Sequence, residues 1–441
     1  MTGGVAPVDF AALADALVRG ALRATGPDAL CAELGRAAVD AGLPVLRLHL
    51  SVTLLHPQFA SVSATWMRGA GSGAEIEPHD YGSRDRRPFL ASPIHYFLTE
   101  VLPARVAAAG GVANMPVDRA EPLRFRLEAG EGCARFEVLS EFRAAGATDY
   151  LLFGTTYTAD APEGLARDDD PGARGMIASW TTDRPGGFTE AEVAGLSRVQ
   201  PLFAAALRTG IERHIAATVL ETYLGPDAGR RVLGGHIRRG SVEAIDAAIL
   251  VADLRGFTTL ADRLDRDALI GLLNADLAAI VAAVEAEGGQ VLKFLGDGLL
   301  ATFALDPVAD GGAESSGAPD RAAVCARALA AASGASAAVA ALDAERAASG
   351  GPTAGLDVAL HLGTVAYGNV GSESRLDFTV IGPAVNEASR IEALCAEIGA
   401  PILASRAFVE AAGTPGLFRS VGEHRLRGVA APRELFAVVE S

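Results

Sequence analysis

The chain has 441 residues, half of them hydrophobic and 21% charged, with a net charge of −16. That supply of apolar side chains suits two cores and excludes a globally disordered chain. The acidic balance argues against nucleic acid as a partner, since a phosphate backbone calls for a basic face.

The first part of the chain mixes helical and strand signals. DFAALADALVRGAL and DALCAELGRAAVDAGL space their apolar residues for helices. VLRLHLSVTLL, ARFEVLSEF, DYLLFGTTYT and GMIASWTT are rich in β-branched and aromatic residues and predict strands. A long helical pattern follows from Thr189 to Leu224, opened by Thr189 with Glu192 three positions later, a capping box. GPDAGRRVLGGHIRRGS then interrupts the helix as a linker. The expected division is an α+β domain over 1–200, a helical linker over 201–241, and a second domain over 242–441.

In the second domain AAILVADL predicts a strand, and DRDALIGLLNADLAAIVAAVEAEGG an amphipathic helix stopped by Gly288 and Gly289. QVLKFLG and GLLATFAL are strands joined at Gly296-Asp297-Gly298, a hairpin signal. A polar, Gly-rich loop over 306–320 leads into a helix, RAAVCARALAAASGASAAVAALDAE. DVALHLGTVAYGNVG predicts a strand and a turn, and LDFTVIG another strand. PAVNEASRIEALCAEIG is a helix from Pro383 to Gly399, followed by edge strands in PILAS, RSVGEHRL and RELFAVVE. The fold class is α+β, with helices over a mostly antiparallel sheet.

No signal peptide is visible, and no apolar run approaches the length of a membrane span. Four scattered cysteines, Cys31, Cys133, Cys325 and Cys395, contain no CxxC pair. A soluble, cytoplasmic protein with reduced thiols and no membrane span is the expectation.

Two acids stand out. Asp253 ends the strand in VADLRGFT, and Asp297 is the tip of the LGDG hairpin. Carboxylates at strand ends beside Gly-containing loops suit Mg²⁺ or Mn²⁺, which take oxygen ligands and usually bind substrate phosphates as well. Taken alone, either acid reads first as an ordinary turn residue. Asn386 and Arg390 lie four apart, on one helix face. Arginine offers a fixed fork of donors to phosphate oxygens. Lys293, four residues before Asp297, is the single lysine of the chain, every other basic side chain apart from histidine being arginine.

VADLRGFT, KFLGDG, HLGTVAYGNVG and TVIGPAVNEASR, in that order and spacing, resemble the class III nucleotidyl cyclase catalytic domain over about residues 242–441. The resemblance implies a ferredoxin-like, palm-type sandwich. It implies that Asp253 and Asp297 hold two divalent cations, Mg²⁺ or Mn²⁺. It further implies that Lys293 and Thr379 read the base, that Asn386 orients the ribose, and that Arg390 stabilises the transition state. Arg427 falls near the position where the family usually has a lysine that contacts the terminal phosphates, and departs from that pattern as an arginine. An ammonium donor matches adenine N1, an acceptor, and mismatches guanine N1, which carries a proton. ATP is therefore the expected substrate and cyclic AMP the product. Thr379 departs from the aspartate common among adenylyl cyclases and resembles a subgroup stimulated by bicarbonate. In this family each active site lies between two catalytic domains, so the resemblance implies a homodimer with active sites at the subunit interface. Two other readings stay open: a catalytically silent nucleotide-binding regulator on the same fold, and a guanylyl cyclase.

The first domain loosely resembles GAF-type sensor domains. That implies a regulatory or dimerising module with a small ligand of unknown identity. His56, His79, His95 and Trp66 are candidate pocket residues, each with an ordinary structural role as the alternative.

Overall fold

The structure, a computed structural model, describes residues 7–53, 59–80, 87–111, 115, 120–157, 175–305 and 320–439. His56 and nearly all of the 306–320 loop lie outside the described residues. Contacts divide the chain into two compact units, Met1–Val219 and Leu220–Ser441.

The first unit begins with helices α1 (Phe10–Arg23) and α2 (Pro27–Asp40). Strands β1 (Arg47–Thr53), β2 (Phe59–Met67) and β3 (Glu75–Asp80) follow. Next come short helices α3 (Arg87–Leu90) and α4 (Pro93–Tyr96), a π-helical turn over Phe97–Val101, and α5 (Leu102–Ala109). The unit continues with β4 (Leu123–Phe125), α6 (Glu137–Ala144), β5 (Asp149–Thr156) and β6 (Gly175–Thr182). It ends within the long helix α7 (Glu190–Leu224). The six strands form an antiparallel sheet in the order β3-β2-β1-β6-β5-β4.

One face of this sheet is apolar. Leu48, Leu50, Trp66, Phe153 and Trp180 pack against Leu13 and Leu17 of α1, Leu30 and Leu34 of α2, and Phe203 and Leu207 of α7. The capping box is formed. Thr189 N donates to Glu192 Oε2 at 2.7 Å, and Glu192 N donates to Thr189 Oγ1 at 3.2 Å. Because Phe203, Leu207 and Ile211 belong to this core, the first unit reaches beyond residue 200 into the stretch expected as linker. ARFEVLSEF is not a strand. Residues from Glu137 onward form α6, where Val138, Leu139 and Phe142 share one side at helical spacing and meet a second cluster with Phe97, Tyr150 and Leu152.

The second unit opens with α8 (Pro226–Leu233), inside the expected linker. Ala228 is buried there, and the Tyr367 hydroxyl donates to Asp227 at 2.7 Å. Then come β7 (Val242–Arg255), α9 (Phe257–Ala261), α10 (Arg266–Ala286), β8 (Gln290–Leu295), β9 (Gly298–Ala304) and α11 (Arg321–Ala348). β10 (Gly355–Gly371) is one strand of 17 residues where a strand and a turn were expected. β11 (Leu376–Ile381), α12 (Pro383–Glu392), α13 (Cys395–Ile398), β12 (Ile402–Ser405), α14 (Arg406–Ala412), β13 (Phe418–His424) and β14 (Arg433–Val438) complete it.

The sheet order is β13-β14-β12-β10-β7-β9-β8, with β11 paired to β10. Every pair is antiparallel except β10 with β12. Thus β12 and β14 lie inside the sheet, and of the three strands expected at an edge only β13 is there. The expected helix to Gly399 breaks after Glu392.

By length and composition α10 and α11 are apolar enough to cross a membrane, which the run-length reading missed. Here they lay Leu272, Ile280, Val284, Val324, Ala328 and Ala335 on one sheet face. Buried Asp276 of α10 pairs with Arg346 of α11 at 2.7 Å.

His49 gives the first unit an acid limit. Its Nδ1 lies 2.8 Å from Thr65 Oγ1, and burial, with Arg47 and then His79 nearby, pushes its pKa down to about 3. An unfolded histidine titrates near 6.5, so unfolding takes up a proton between those values. Stability is therefore expected to fall as pH drops from about 6.5 toward 3. Urea midpoints followed by tryptophan fluorescence check this: the acid limb should flatten in His49→Gln, and an unchanged limb would assign it to carboxylates instead.

Candidate active site

The candidate site is built around β7. Its register with β10 sets Asp253 opposite Asp357, and its register with β9 sets Asp253 opposite Gly298. Like charges opposed across a strand pair repel. Arg255, two residues along β7, relieves one of them: its Nε donates to Asp357 Oδ2 at 3.2 Å, and its Nη2 closes the pair on Oδ1. Asp253 is left facing Asp297. Burial first, then Asp297 and Asp357, push the Asp253 carboxyl up to about 6. Glu392, at the end of α12, joins the same field. Burial, followed by Asp253, Asp357 and Asp297, raises it to about 7.

The two glycines of the hairpin have different reasons. Gly296 has φ +72°, left-handed backbone that costs other residues about 1–2 kcal/mol. At Gly298 a Cβ would sit 2.5 Å from Asp253 Oδ1 and would strike the Ala252 carbonyl. Glycine there lets the carboxylate lie against β9.

Among the described residues no group of three or more His, Cys, Asp or Glu side chains is arranged to hold a metal ion. The crowded acids nonetheless fit a divalent cation, since positive charge would offset the burial and the repulsion that raise the Asp253 carboxyl to about 6. Ligands beyond the Asp253–Asp297 pair would have to come from substrate oxygens and water.

A second cluster lies on β8 and β11. Lys293 Nζ donates to Asp377 Oδ2 at 3.4 Å. Strand alternation puts Asp377 and Thr379 on one face of β11, away from Phe378 and Val380, which fill a core cluster. Thr379 is 3% exposed, and its Oγ1 has no hydrogen-bond partner.

The third group is on α12. Gly382 and Pro383 start the helix, and Ala384 and Ala388 bury its inner side, so Asn386 is exposed and Arg390 half-buried. Arg390 Nη2 lies 3.6 Å from where a Cβ on Gly428 would be, beside Arg427, which is exposed. Among the described residues no hydrogen bond or ion pair occupies the side chains of Asn386, Arg390 or Arg427.

The seven candidate residues thus fall into three groups: the acids, the Lys293–Thr379 face, and Asn386 and Arg390 of α12 with Arg427 of the β13–β14 turn. The sequence reading missed Asp357, Asp377 and Glu392. Asp377 had a local signal, two positions before Thr379 on the same strand face. Asp357 and Glu392 reach the acids only through sheet register and helix packing.

Residues 241–406 match the family described as the adenylate and guanylate cyclase catalytic domain. The second unit carries a class III cyclase catalytic domain. An adenylate cyclase from Anabaena cylindrica is 32% identical over 187 residues, which is 42% of this chain and 34% of that protein. Adenylate cyclase 1 from Rhizobium meliloti (strain 1021) is 27% identical over 205 residues, 46% of this chain and 29% of that one. The chain therefore spans about a third of these curated relatives. Among solved structures, the adenylyl cyclase CyaB from P. aeruginosa is 25% identical with a TM-score of 0.39, covering 46% of this chain and 97% of that one.

The hairpin geometry of this cyclase domain is testable without substrate. Gly298→Ala should cost about 1–3 kcal/mol, because neither the Ala252 carbonyl nor the adjacent strand can give way. Gly296→Ala should cost about 1 kcal/mol from its left-handed backbone. Urea midpoints measure both, and a Gly298→Ala chain as stable as wild type would mean that β9 moves freely off Asp253.

Proposed function

We propose that the protein is an adenylate cyclase, converting ATP to 3′,5′-cyclic AMP and pyrophosphate as a homodimer regulated by a GAF-like first unit. The observation that carries the choice of ATP is the Lys293 ammonium on Asp377, two residues along β11 from the buried, unpartnered Thr379 hydroxyl. A buried hydroxyl without a partner costs about 1–3 kcal/mol. Adenine would supply that partner, its 6-amino group donating to Thr379 Oγ1 while Lys293 donates to N1. Guanine offers a proton at N1, facing an ammonium that also carries only donors.

Asp253 and Asp297 are the residues that hold the divalent cations. When bound, these ions lower the pKa of the ribose 3′-hydroxyl and offset charge on the triphosphate. Asn386 orients the ribose so that the 3′-oxygen lies in line with the α-phosphorus. A bond forms from that oxygen to phosphorus, the bridging bond to the β-phosphate breaks, and pyrophosphate leaves. Arg390 meets the charge that grows on the α-phosphoryl oxygens, and Arg427 holds the terminal phosphates. No side chain is assigned as general base, and the proton passes to water or a substrate oxygen.

The unoccupied side chains of Asn386, Arg390 and Arg427 support the dimer. In this reading one copy supplies Asp253 and Asp297, and the second copy supplies Lys293, Thr379, Asn386 and Arg390. Two sites follow from two-fold symmetry.

Purified full-length protein assayed with ATP and GTP separately, in Mn²⁺ and then Mg²⁺, tests the reading. Cyclic AMP from ATP alone, abolished by Asp253→Ala, is expected; cyclic GMP as the main product would overturn the base assignment. Arg390→Ala and Asn386→Ala should each lower kcat roughly 100-fold with little change in KM, as expected of contacts made in the transition state. Mixing inactive Asp253→Ala with inactive Arg390→Ala chains should restore activity, because a mixed dimer holds one intact site. Failure to restore it in a demonstrated mixed dimer would place both residues in one copy's site.

A further inference from the structure

Strand β7 carries a cation and a candidate metal ligand on the same face. Asp253 and Arg255 are two residues apart, so strand alternation points both side chains the same way, roughly 7 Å apart along the strand. An extended arginine side chain spans that distance. A carboxylate and a guanidinium so placed are expected to pair, and a paired Asp253 would be a poor ligand for a metal ion.

In the structure the two side chains diverge. Asp253 Oδ1 lies toward β9, against Gly298. Arg255 leans the other way, over β10. A Cβ on Gly355, its cross-strand neighbour, would lie 3.5 Å from Arg255 Cβ and 3.6 Å from Nη1. The guanidinium then closes on Asp357 side-on, with Nε donating to Oδ2 and Nη2 to Oδ1. Among the described residues Asp253 makes no ion pair. Burial, then the charges of Asp297 and Asp357, act on its carboxyl, and no cation offsets them.

The divergence has a cause in burial. Asp357 is 4% exposed, whereas Asp253 is only partly buried. An unpaired charge costs more the deeper it lies, so the guanidinium goes to Asp357. Arg255 itself is exposed, so its pose is set by this ion pair rather than by core packing. The side-on pairing commits two donors of the fork, and a half-share with Asp253 would give up that geometry.

On the reading that Asp253 holds a divalent cation, we propose that Asp357 is a positioning residue for that site: it draws the Arg255 guanidinium across to β10 and so keeps Asp253 open. Asp357 acts only through Arg255 and is not itself a ligand. Without the Asp357 charge, Arg255 turns back along β7 and closes on Asp253, in the place of the metal ion.

Mn²⁺ binding to the full chain without nucleotide, followed by the electron paramagnetic resonance signal of free Mn²⁺, tests this without turnover. Asp357→Asn is expected to raise the Kd for Mn²⁺ roughly tenfold or more. Adding Arg255→Met to Asp357→Asn should return it to within about threefold of wild type, because the competing cation is gone. An unchanged Kd in Asp357→Asn overturns the proposal. So does a combined variant as weak as Asp357→Asn alone, which would make the pair a structural support of β7. A crystal structure of Asp357→Asn separates capture from the mere loss of one negative charge. Arg255 hydrogen-bonded to Asp253 is expected there, and Arg255 still lying over β10 overturns the proposal. Should Asp357→Asn fail to fold, Arg255→Met alone decides: a Kd at or below that of wild type supports the proposal, and a raised Kd overturns it. A wild-type chain that leaves all Mn²⁺ free is a different failure, which overturns the cation assignment of Asp253 and this proposal with it.

Discussion

The second unit is organised by one constraint, the crowding of carboxylates around β7. Strand β7 is hydrogen-bonded on both sides, so Asp253 cannot retreat from Asp357 across one ladder or from the Asp297 hairpin across the other. The fold neutralises one acid internally, through Arg255, and leaves the others facing one another. The raised Asp253 and Glu392 carboxyls record an electrostatic cost that apolar packing elsewhere in the unit must outweigh. Such strain is tolerated where it is offset on ligand binding, as perturbed carboxylates in functional sites commonly are.

The same β7 ladder supplies the support for everything else. Strand β10 pairs with it along 14 residues and then carries β11, which brings the Lys293 and Thr379 face to the sheet. Helix α12 follows directly from β11 and packs Ala384 and Ala388 on the core beside Val365 and Tyr367. Strands and one short helix thus hold Asp253, Lys293, Thr379, Asn386 and Arg390, while Asp297 and Arg427 sit in turns. Tyr367, in that core, bonds Asp227 of α8, so the segment following α7 is fastened to the sheet by a buried hydrogen bond with Arg231 beside it. A stretch that reads as a polar linker is part of the packed unit.

Much of this was legible where the signal is local. The Gly296-Asp297-Gly298 turn, the Thr189–Glu192 capping box and the long helices follow from residues a few positions apart. The signal failed where tertiary context decides. Residues 137–144 have the aromatic and β-branched content of a strand, yet Val138, Leu139 and Phe142 find their apolar neighbours at helical spacing. The turn expected within β10 rested on its glycines, but pairing with β7 on one side and β11 farther along keeps the strand extended. Strands β2, β3 and β4 went unread: β3 is almost wholly exposed, and β4 is three residues long. Neither has the alternating burial that marks a strand in sequence. At the candidate site the acids on strand ends were legible, and the acids that tune them were not. Asp357 and Glu392 matter through cross-strand register and helix packing, which no spacing rule contains.

The single lysine illustrates how one contact can favour one side chain over its nearest substitute. Lys293 gives one hydrogen bond to Asp377, at 3.4 Å. An ammonium has three donors on a single atom, so two remain for another acceptor beside Thr379. Arginine in the same place would meet the Asp377 carboxylate with its planar fork, in the two-bond geometry such pairs prefer. That pairing would be stronger, and it would fix the cation against β11 with its donors committed. In a chain whose other cations are all arginine or histidine, a weaker and less directional contact is retained at one position. The physical difference is availability: the lysine stays oriented by Asp377 with donors left free, on the strand face that also carries the buried, unpartnered Thr379 hydroxyl.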